Sequence, residues 1–376
     1  MKTDKFSEEN IVNTLAESFK HELINDTDQK LIDFVFSKDI NQEKLDNFLK
    51  TWDLMSADNA RILMFAYFLK SHPELKLSVE QDFKIKQTFN TFKLQNIKLI
   101  SHYKRICNEL SKENIEVMIF KGGLMKHLRQ ELPRVMGDID IIVKEENYDK
   151  SGHIAEKMGY DCSWDIHSVD IHPKGSEEGI MDIHKYVYMN TGKETNLNTG
   201  LFARAREEKV FGVQTLIPSN EDLIFITLVN LVRNLRNKTS WSGILFTLYD
   251  VQFLINSKQG FDWNIVVENA RKTKTETQVY FAIEFLNKII PNLLPQKIEL
   301  DNKLQKELSN YCTLLMYQRF FLWDMKQRSH ALKFSSIFGN FENFKEYLAL
   351  KPKYFFLKLP IFKKNPPLAR WMLEKL

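Results

Sequence analysis

Absences narrow this chain before any motif does. Cysteine is scarce: Cys107, Cys162 and Cys312 are few, odd in number and widely spaced, which excludes a disulfide framework and a cysteine-built zinc site and fits a reducing cytoplasm. Long apolar runs are missing, none approaching the roughly 18 residues that a bilayer span needs. The opening MKTDKFSEENIVNTL is charged and has no apolar signal core, so the chain is expected to be soluble, cytoplasmic and unprocessed, with no membrane span. A large charge of one sign is missing too. The 53 Lys and Arg against 49 Asp and Glu leave +4 over 376 residues, which argues against a dedicated nucleic-acid binder, a local basic patch notwithstanding. Internal repeats and low-complexity segments are absent. What the chain does have is length for two or three domains and a 43% hydrophobic content, enough for ordinary globular cores.

From Ser7 to about Ser111 the sequence is rich in Lys, Glu, Leu and Phe at helical spacing, with almost no glycine. Apolar side chains crowd RILMFAYFLK until Pro73 stops that helix. A long pattern from about Val79 to Ser111 then returns Phe89, Phe92, Leu94, Ile97, Ile100 and Ile106, three of the five steps being three. This predicts an N-terminal helical lobe over 1–110 that delivers a long helix into the first strand. Past residue 217, LIFITLVNLVRNL, GILFTLYDVQFLI and patterns around Ala270, Phe285 and Leu314 predict a C-terminal helical lobe over 218–350. The tail 351–376 sets seven Lys and Arg against Glu374, interleaved with Tyr354, Phe355, Phe356, Phe362 and Trp371. It reads either as a packed tail with solvated lysines or as a basic and aromatic surface for single-stranded nucleic acid.

The chemistry concentrates in VMIFKGGLMKHLRQELPRVMGDIDIIV, Val117 to Val143. It reads as a short apolar strand, a Lys-Gly-Gly turn, a helix of about two turns, and a second strand carrying Asp138 and Asp140. Side chains alternate along a strand, so the two carboxylates share a face while Ile139, Ile141 and Val143 point into the core. Adjacent carboxylates repel unless a cation or proton intervenes, and a pair of Mg2+ ions is a natural solution. A Gly-Gly turn that opens a helix offers unpaired N–H groups to an anion without Cβ interference. Further on, a helix over Glu145 to Met158 is stopped by Gly159, and Asp161 to His172 and Gly179 to Tyr188 read as two strands joined by a turn at 174–178. Asp182 and His184 share one strand face, which makes Asp182 the candidate third carboxylate; Asp170 has the same surroundings and is the alternative. His167, His172 and His184 alternate with Asp165, Asp170 and Asp182, types that suit Zn2+ or Fe2+ without the spacing of a compact ligand motif. Arg204 and Arg206 fall two apart on a predicted helix, so they do not face together. Arg204 is a candidate substrate contact, with a surface ion pair to Glu207 or Glu208 as its alternative. Val210 to Ile217 reads as a last strand.

Taken in order, Phe120-Lys121-Gly122-Gly123, Arg134, Gly137-Asp138-Ile139-Asp140-Ile141-Ile142-Val143 and Met181-Asp182-Ile183-His184 resemble the uncharacterised nucleotidyltransferase group of the DNA polymerase β superfamily. The resemblance covers about Phe92 to Phe261 and is strongest at the acid pair after the Lys-Gly turn. Fourteen residues separate Gly123 from Asp138, slightly more than in most members; Gly123 stands where many have Ser, and Asn230 and Asn234 stand where many have His. Leu248-Tyr249-Asp250-Val251 matches a Leu-x-Asp-hydrophobic element of the group. The resemblance implies an α+β fold, a small mixed-sheet nucleotidyltransferase core over 111–217 between the two helical lobes. It implies Mg-dependent transfer of a nucleoside monophosphate from a nucleoside triphosphate, ATP being expected, to a hydroxyl or similar acceptor on a small molecule, peptide or protein. Asp138, Asp140 and Asp182 would be catalytic and hold two Mg2+ ions. Lys121, Gly122, Gly123 and Arg134 would bind the nucleotide, and His184 and Arg204 would touch substrate. An RNA-directed or toxin-like enzyme, or a catalytically silent partner of the same fold, are the alternatives; nucleic acid is not the favoured acceptor.

Overall fold

The structure is a computed structural model that describes residues 8–37, 39–129, 134–165, 168–187, 197–236, 241–256, 261–299 and 301–316. The tail 351–376, Pro133 and His167 lie outside the described residues. In chain order, α1 (Glu8–Leu23), α2 (Asp26–Val35), α3 (Gln42–Thr51), α4 (Asn59–Ser71) and α5 (Val79–Lys112) precede β1 (Val117–Ile119). There follow α6 (Lys121–Leu128), β2 (Ile139–Val143), α7 (Tyr148–Lys157), β3 (Asp161–Trp164), β4 (Ser168–His172), β5 (Met181–His184), α8 (Leu197–Arg204), β6 (Arg206–Val210) and β7 (Val213–Ile217). The helices α9 (Asn220–Arg236), α10 (Trp241–Asn256), α11 (Trp263–Thr273), α12 (Glu276–Ile289) and α13 (Asn302–Met316) close the described chain. Among the described residues no helix is long and apolar enough to cross a membrane.

Local sequence sets the helix boundaries. Asn25, Asn41, Asp58 and Ser78 each accept a hydrogen bond from a backbone N–H of the helix they open, satisfying donors that a helix start leaves over. After α4, Pro73 prevents continuation. From its Ser78 cap α5 runs 34 residues, and the left-handed Asn114, at φ 57°, turns the chain out of it towards β1.

Two compact units arise, one from Ile24–Thr227 with Trp241–Thr275, the other from Met1–Leu23, Leu228–Ser240 and Glu276–Leu376. In the second, α1 packs on α12 and α13, with Phe19 edge-on to Phe281 and Phe285. The first unit holds an aromatic cluster of Phe34, Phe48, Trp52, Phe65 and Phe68, and it holds the sheet. Seven strands form one mixed sheet in the order β3-β4-β5-β2-β1-β7-β6. β2 runs parallel to β5 and β1 parallel to β7, while the other neighbours are antiparallel.

Alternation sorts the central strands into two faces. Ile139, Ile141, Val169, Ile171, Met181 and Ile183 are at most 1% exposed, and the residues between them carry the acids. A register slip of one residue would exchange those six for the acids, at about 1.5–3 kcal/mol for each apolar side chain. The core therefore holds the acids in place.

Two stretches differ from the sequence reading. Asp161 to His172 is not one strand but the antiparallel pair β3 and β4; the chain folds back at Asp165, whose N–H donates to the Ser168 carbonyl at 2.8 Å. Val210 to Ile217 holds only β7 whole, because Phe211 (φ 51°) and Gly212 (φ 91°) make a two-residue turn and Arg206 to Val210 form the partner strand β6. Arg206 thus stands on a strand, with only Arg204 on a helix.

Candidate active site

The register sets three carboxylates in a row across adjacent strands. Asp140 on β2 is the direct neighbour of Asp182 on β5, and Asp182 is the neighbour of Asp170 on β4. One step along the same face, His184 pairs with Ile142 and Ser168. Its Nε2 lies 2.9 Å from Asp140 Oδ1 and 3.1 Å from Asp182 Oδ2. Asp140, Asp182 and His184 each offer a ligand atom, all within 4.8 Å of one another. Asp138 is outside that group. It stands just before β2 with an exposed side chain, near enough for the Asp140 charge to act on it. Both sequence candidates for a third carboxylate thus lie in one row, and Asp182 is the one beside Asp140.

The charges in this row are strongly coupled. Burial disfavours the Asp140 carboxylate, but the Lys121 ammonium and the His184 ring outweigh it and hold Asp140 well below the ordinary carboxylate range. Asp182 is lowered as well, burial being overcome by its hydrogen bond from His184. Burial and Lys121 oppose a charge on His184, yet its bonds to Asp140 and Asp182 prevail and raise it. Asp138 and Asp170 move the other way, each to about 6: lost hydration comes first for both, followed by Asp140 for Asp138 and by Asp182 for Asp170. Both residues nonetheless keep exposed surface.

The chain enters α6 through Phe120, which provides no side-chain cap. The first N–H groups of the helix therefore receive no acceptor from the side chain that opens it. Lys121, at the first position, takes a left-handed φ of 50°, and its Nζ lies 2.5 Å from Asp140 Oδ1 and 3.5 Å from His184 Nε2. The two glycines do different things. A Cβ on Gly123 would come 2.9 Å from Ile139 Cγ2 and 3.2 Å from Ile119 Cδ1, so Gly123 lets α6 press onto β1 and β2. A Cβ on Gly122 would meet only ordinary contacts, 3.5 Å to Arg134 Nε and 3.6 Å to Met136 Cγ. Whatever Gly123 offers an anion, it offers through its backbone.

The sequence reading sets Arg134 at the nucleotide; in the structure its guanidinium is taken up by Asp250. Nη1 and Nη2 donate to the two Asp250 oxygens, each at 2.6 Å, and the guanidinium lies 4.7 Å from the Phe246 ring centre. The Arg134 backbone is held as firmly: its N–H donates to Asn96 Oδ1 and its carbonyl accepts from Asn96 Nδ2, both at 2.8 Å. Gln95 Nε2 donates to the Met136 carbonyl at 3.2 Å. The chain returning to β2 is thus tied to α5 and α10. Arg204 is similarly engaged, donating to Asp222 at 2.6 and 3.0 Å and to Asn269 at 3.2 Å, which fastens α8 to α11 and the start of α9. The pairing of Asp250 and the part played by Asn96 are what sequence reasoning passes over. The Leu-x-Asp pattern marks Asp250 without revealing its partner, and nothing around Asn96 separates it from the other polar residues of α5.

A family profile described as an uncharacterised nucleotidyltransferase matches residues 55–291, more than half of the chain. Among solved structures, the chain is similar to the solution structure of the antibiotic-resistance factor ANT(2'')-Ia, with 13% identity, 51% of this chain and 91% of that chain covered, and a TM-score of 0.27. No curated protein matches.

Proposed function

The chain belongs to the uncharacterised nucleotidyltransferase family, and from that premise we propose that it moves a nucleoside monophosphate from a nucleoside triphosphate, with ATP as donor, to a hydroxyl of a small molecule or peptide. The observation that carries this reading is the convergence of Asp140, Asp182 and His184 within 4.8 Å beside a helix start without a side-chain cap.

The donor set fits a divalent cation. Asp182 Oδ1 is buried with no hydrogen-bond partner among the described residues, and Asp140 already holds a cation, the Lys121 ammonium. Carboxylate oxygens suit Mg2+ and Mn2+. Asp140 and Asp182 would hold such an ion, with Asp138 at the rim for a second. Ions held there would polarise the phosphoryl oxygens and lower the pKa of the attacking hydroxyl.

The chain's own groups supply the rest. The proton of the acceptor hydroxyl goes to the Asp182 carboxylate, and the hydroxyl oxygen forms the new P–O bond at the α-phosphorus. The bond from that phosphorus to the bridging oxygen breaks, and pyrophosphate leaves with the electron pair. Backbone N–H groups at the start of α6 donate to phosphate oxygens as negative charge builds on them. His184 holds the Asp140 and Asp182 carboxylates together throughout. The test combines the four α-labelled nucleoside triphosphates with Mg2+ and pools of small-molecule, peptide and tRNA acceptors, alongside equilibrium dialysis of each nucleotide. Expected are label transfer and pyrophosphate with the native protein and neither with Asp140→Asn. Absence of any Mg-nucleotide binding by the folded protein overturns the reading, and transfer to tRNA alone replaces the small acceptor with RNA.

A further inference from the structure

Lys121 is placed where a metal-free acid site needs a cation. Its Nζ sits 2.5 Å from Asp140 Oδ1, the same oxygen that receives His184 Nε2 at 2.9 Å. Asp140 is 8% exposed, and a buried carboxylate stripped of its counter-charge is destabilising by several kcal/mol. The backbone is bent to this end: a non-glycine residue at φ 50° costs about 1–2 kcal/mol, and departures of this kind gather at functional sites. The side chain is a lysine, a point charge on four flexible carbons, able to turn to a new partner in a way that a planar guanidinium held by two prongs is not. Its own backbone N–H begins α6, so the residue joins the acid row to the helix start.

We propose that Lys121 is the resident counter-ion of Asp140, that a divalent ion and the Lys121 ammonium exclude each other from that carboxylate, and that the ion's arrival releases the ammonium to the nucleotide's phosphates. The proposal rests on the reading of this site as a metal-dependent nucleotide site. A divalent ion on that oxygen and an ammonium 2.5 Å from it would be two cations within a few ångströms of each other. Their repulsion, little screened beside the buried Asp140, is what makes them alternatives. Once displaced, the ammonium is still tethered to the residue that precedes the N–H of Gly122, where a triphosphate at the start of α6 would receive it. Metal and nucleotide then bind in a coupled order: the ion without nucleotide must compete with Lys121, and with nucleotide it need not, because the phosphates take up the displaced charge.

Two measurements on the full chain test this. The first is acetylation of lysine amines in the native protein at fixed pH, read residue by residue by mass spectrometry. Mg2+ should raise labelling of Lys121 several-fold, and Mg2+ with a non-hydrolysable ATP analogue should lower it again. Lys112, 68% exposed and on α5, serves as the reference that does not change. The second is Mn2+ affinity by electron paramagnetic resonance. Lys121→Met should bind Mn2+ about tenfold more tightly than the native protein, a coupling of ordinary size, and Asp140→Asn should bind it far more weakly. Mn2+ binding by the native protein together with unchanged Lys121 labelling, or an equal or weaker affinity in Lys121→Met, overturns the proposal and leaves the metal site standing. Absence of Mn2+ binding by the native protein and by Lys121→Met alike removes the functional reading, and the proposal with it.

Discussion

Asp170 and Asp182 are neighbours across β4 and β5, and one strand spacing decides what each contributes. Asp182 shares the His184 proton with Asp140 and carries the unpartnered buried oxygen Oδ1; Asp170 touches the row from its outer end. Asp182→Asn should lower single-turnover transfer by about two to four orders of magnitude, the usual worth of a positioned proton acceptor, while Mg-nucleotide affinity in equilibrium dialysis stays near native. Asp170→Asn should stay within about tenfold of native turnover, since it acts only through Asp182. Equal losses in both variants, or a larger loss in Asp170→Asn, would move the proton acceptor outward to β4. The glycines make a second comparison. Gly123→Ala drives a methyl to 2.9 Å from Ile139, and overpacking of that sort costs about 1–3 kcal/mol. Gly122→Ala meets nothing nearer than 3.5 Å and gains helix propensity, so it should lie within about 0.5 kcal/mol of native. Urea unfolding of the two variants measures both. A Gly123→Ala protein as stable as the native one would mean that α6 is not pressed against β1 and β2.

At the scale of elements, the Arg134–Asp250 pair is the tie whose removal should be felt most. Both side chains are nearly buried, 12% and 7% exposed. Asp250→Ala strands a guanidinium that cannot shed its charge, which should cost about 3–5 kcal/mol in urea unfolding. Arg134→Met should cost less, because Met keeps most of the volume against Phe246 and a stranded carboxyl can take a proton. The reverse order would show that packing on Phe246, and not the ion pair, holds the loop. None of this pairing is visible in the sequence, where the partners stand 116 positions apart. What was legible has a strong period. The apolar steps of α4 and α5 and the alternation of β2 and β5 predict those elements and the faces of Asp140, Asp182 and His184. What was not legible lacks a local mark. Asp161 to His172 alternates across its own fold-back with no Gly or Pro to punctuate it, and the β6–β7 turn puts Phe211 where a turn residue is expected. Nor does alternation encode strand order, and it is the order β4-β5-β2 that makes Asp170 a member of the same row.

For the molecule as a whole, the pH dependence of stability follows groups whose proton binding differs between folded and unfolded chain, so the perturbed groups of the acid row should shape the profile when divalent ions are removed by chelation. Each sign follows from linkage. Asp140 and Asp182 are lowered on folding, so their contribution is present above the unfolded value of about 3.9 and is lost as pH falls through their folded values. His184 is raised, so its contribution is complete below about 6.5 and is lost as pH rises through its folded value. Asp138 and Asp170 are raised to about 6; for a raised carboxyl, stability is greatest below the unfolded value and is lost as pH climbs from about 4 to about 6. Together these terms favour the fold most at weakly acidic pH, between the acid limb of Asp140 and Asp182 and the loss from His184. The melting temperature of the chelated protein should therefore be higher near about pH 5 than near about pH 8. Asp170→Asn isolates one contribution: its advantage over native should be absent near about pH 4, open between about 4 and 6, and stay constant above, because only the native protein loses stability as that carboxyl ionises. Calorimetry across that range in chelator measures the gap. A gap that does not change with pH would mean that the Asp170 carboxyl ionises alike in the folded and unfolded chain and is not part of the coupled row. Saturating Mg2+ should narrow the gap, since an ion on the adjoining carboxylate replaces the proton in balancing the row's charge.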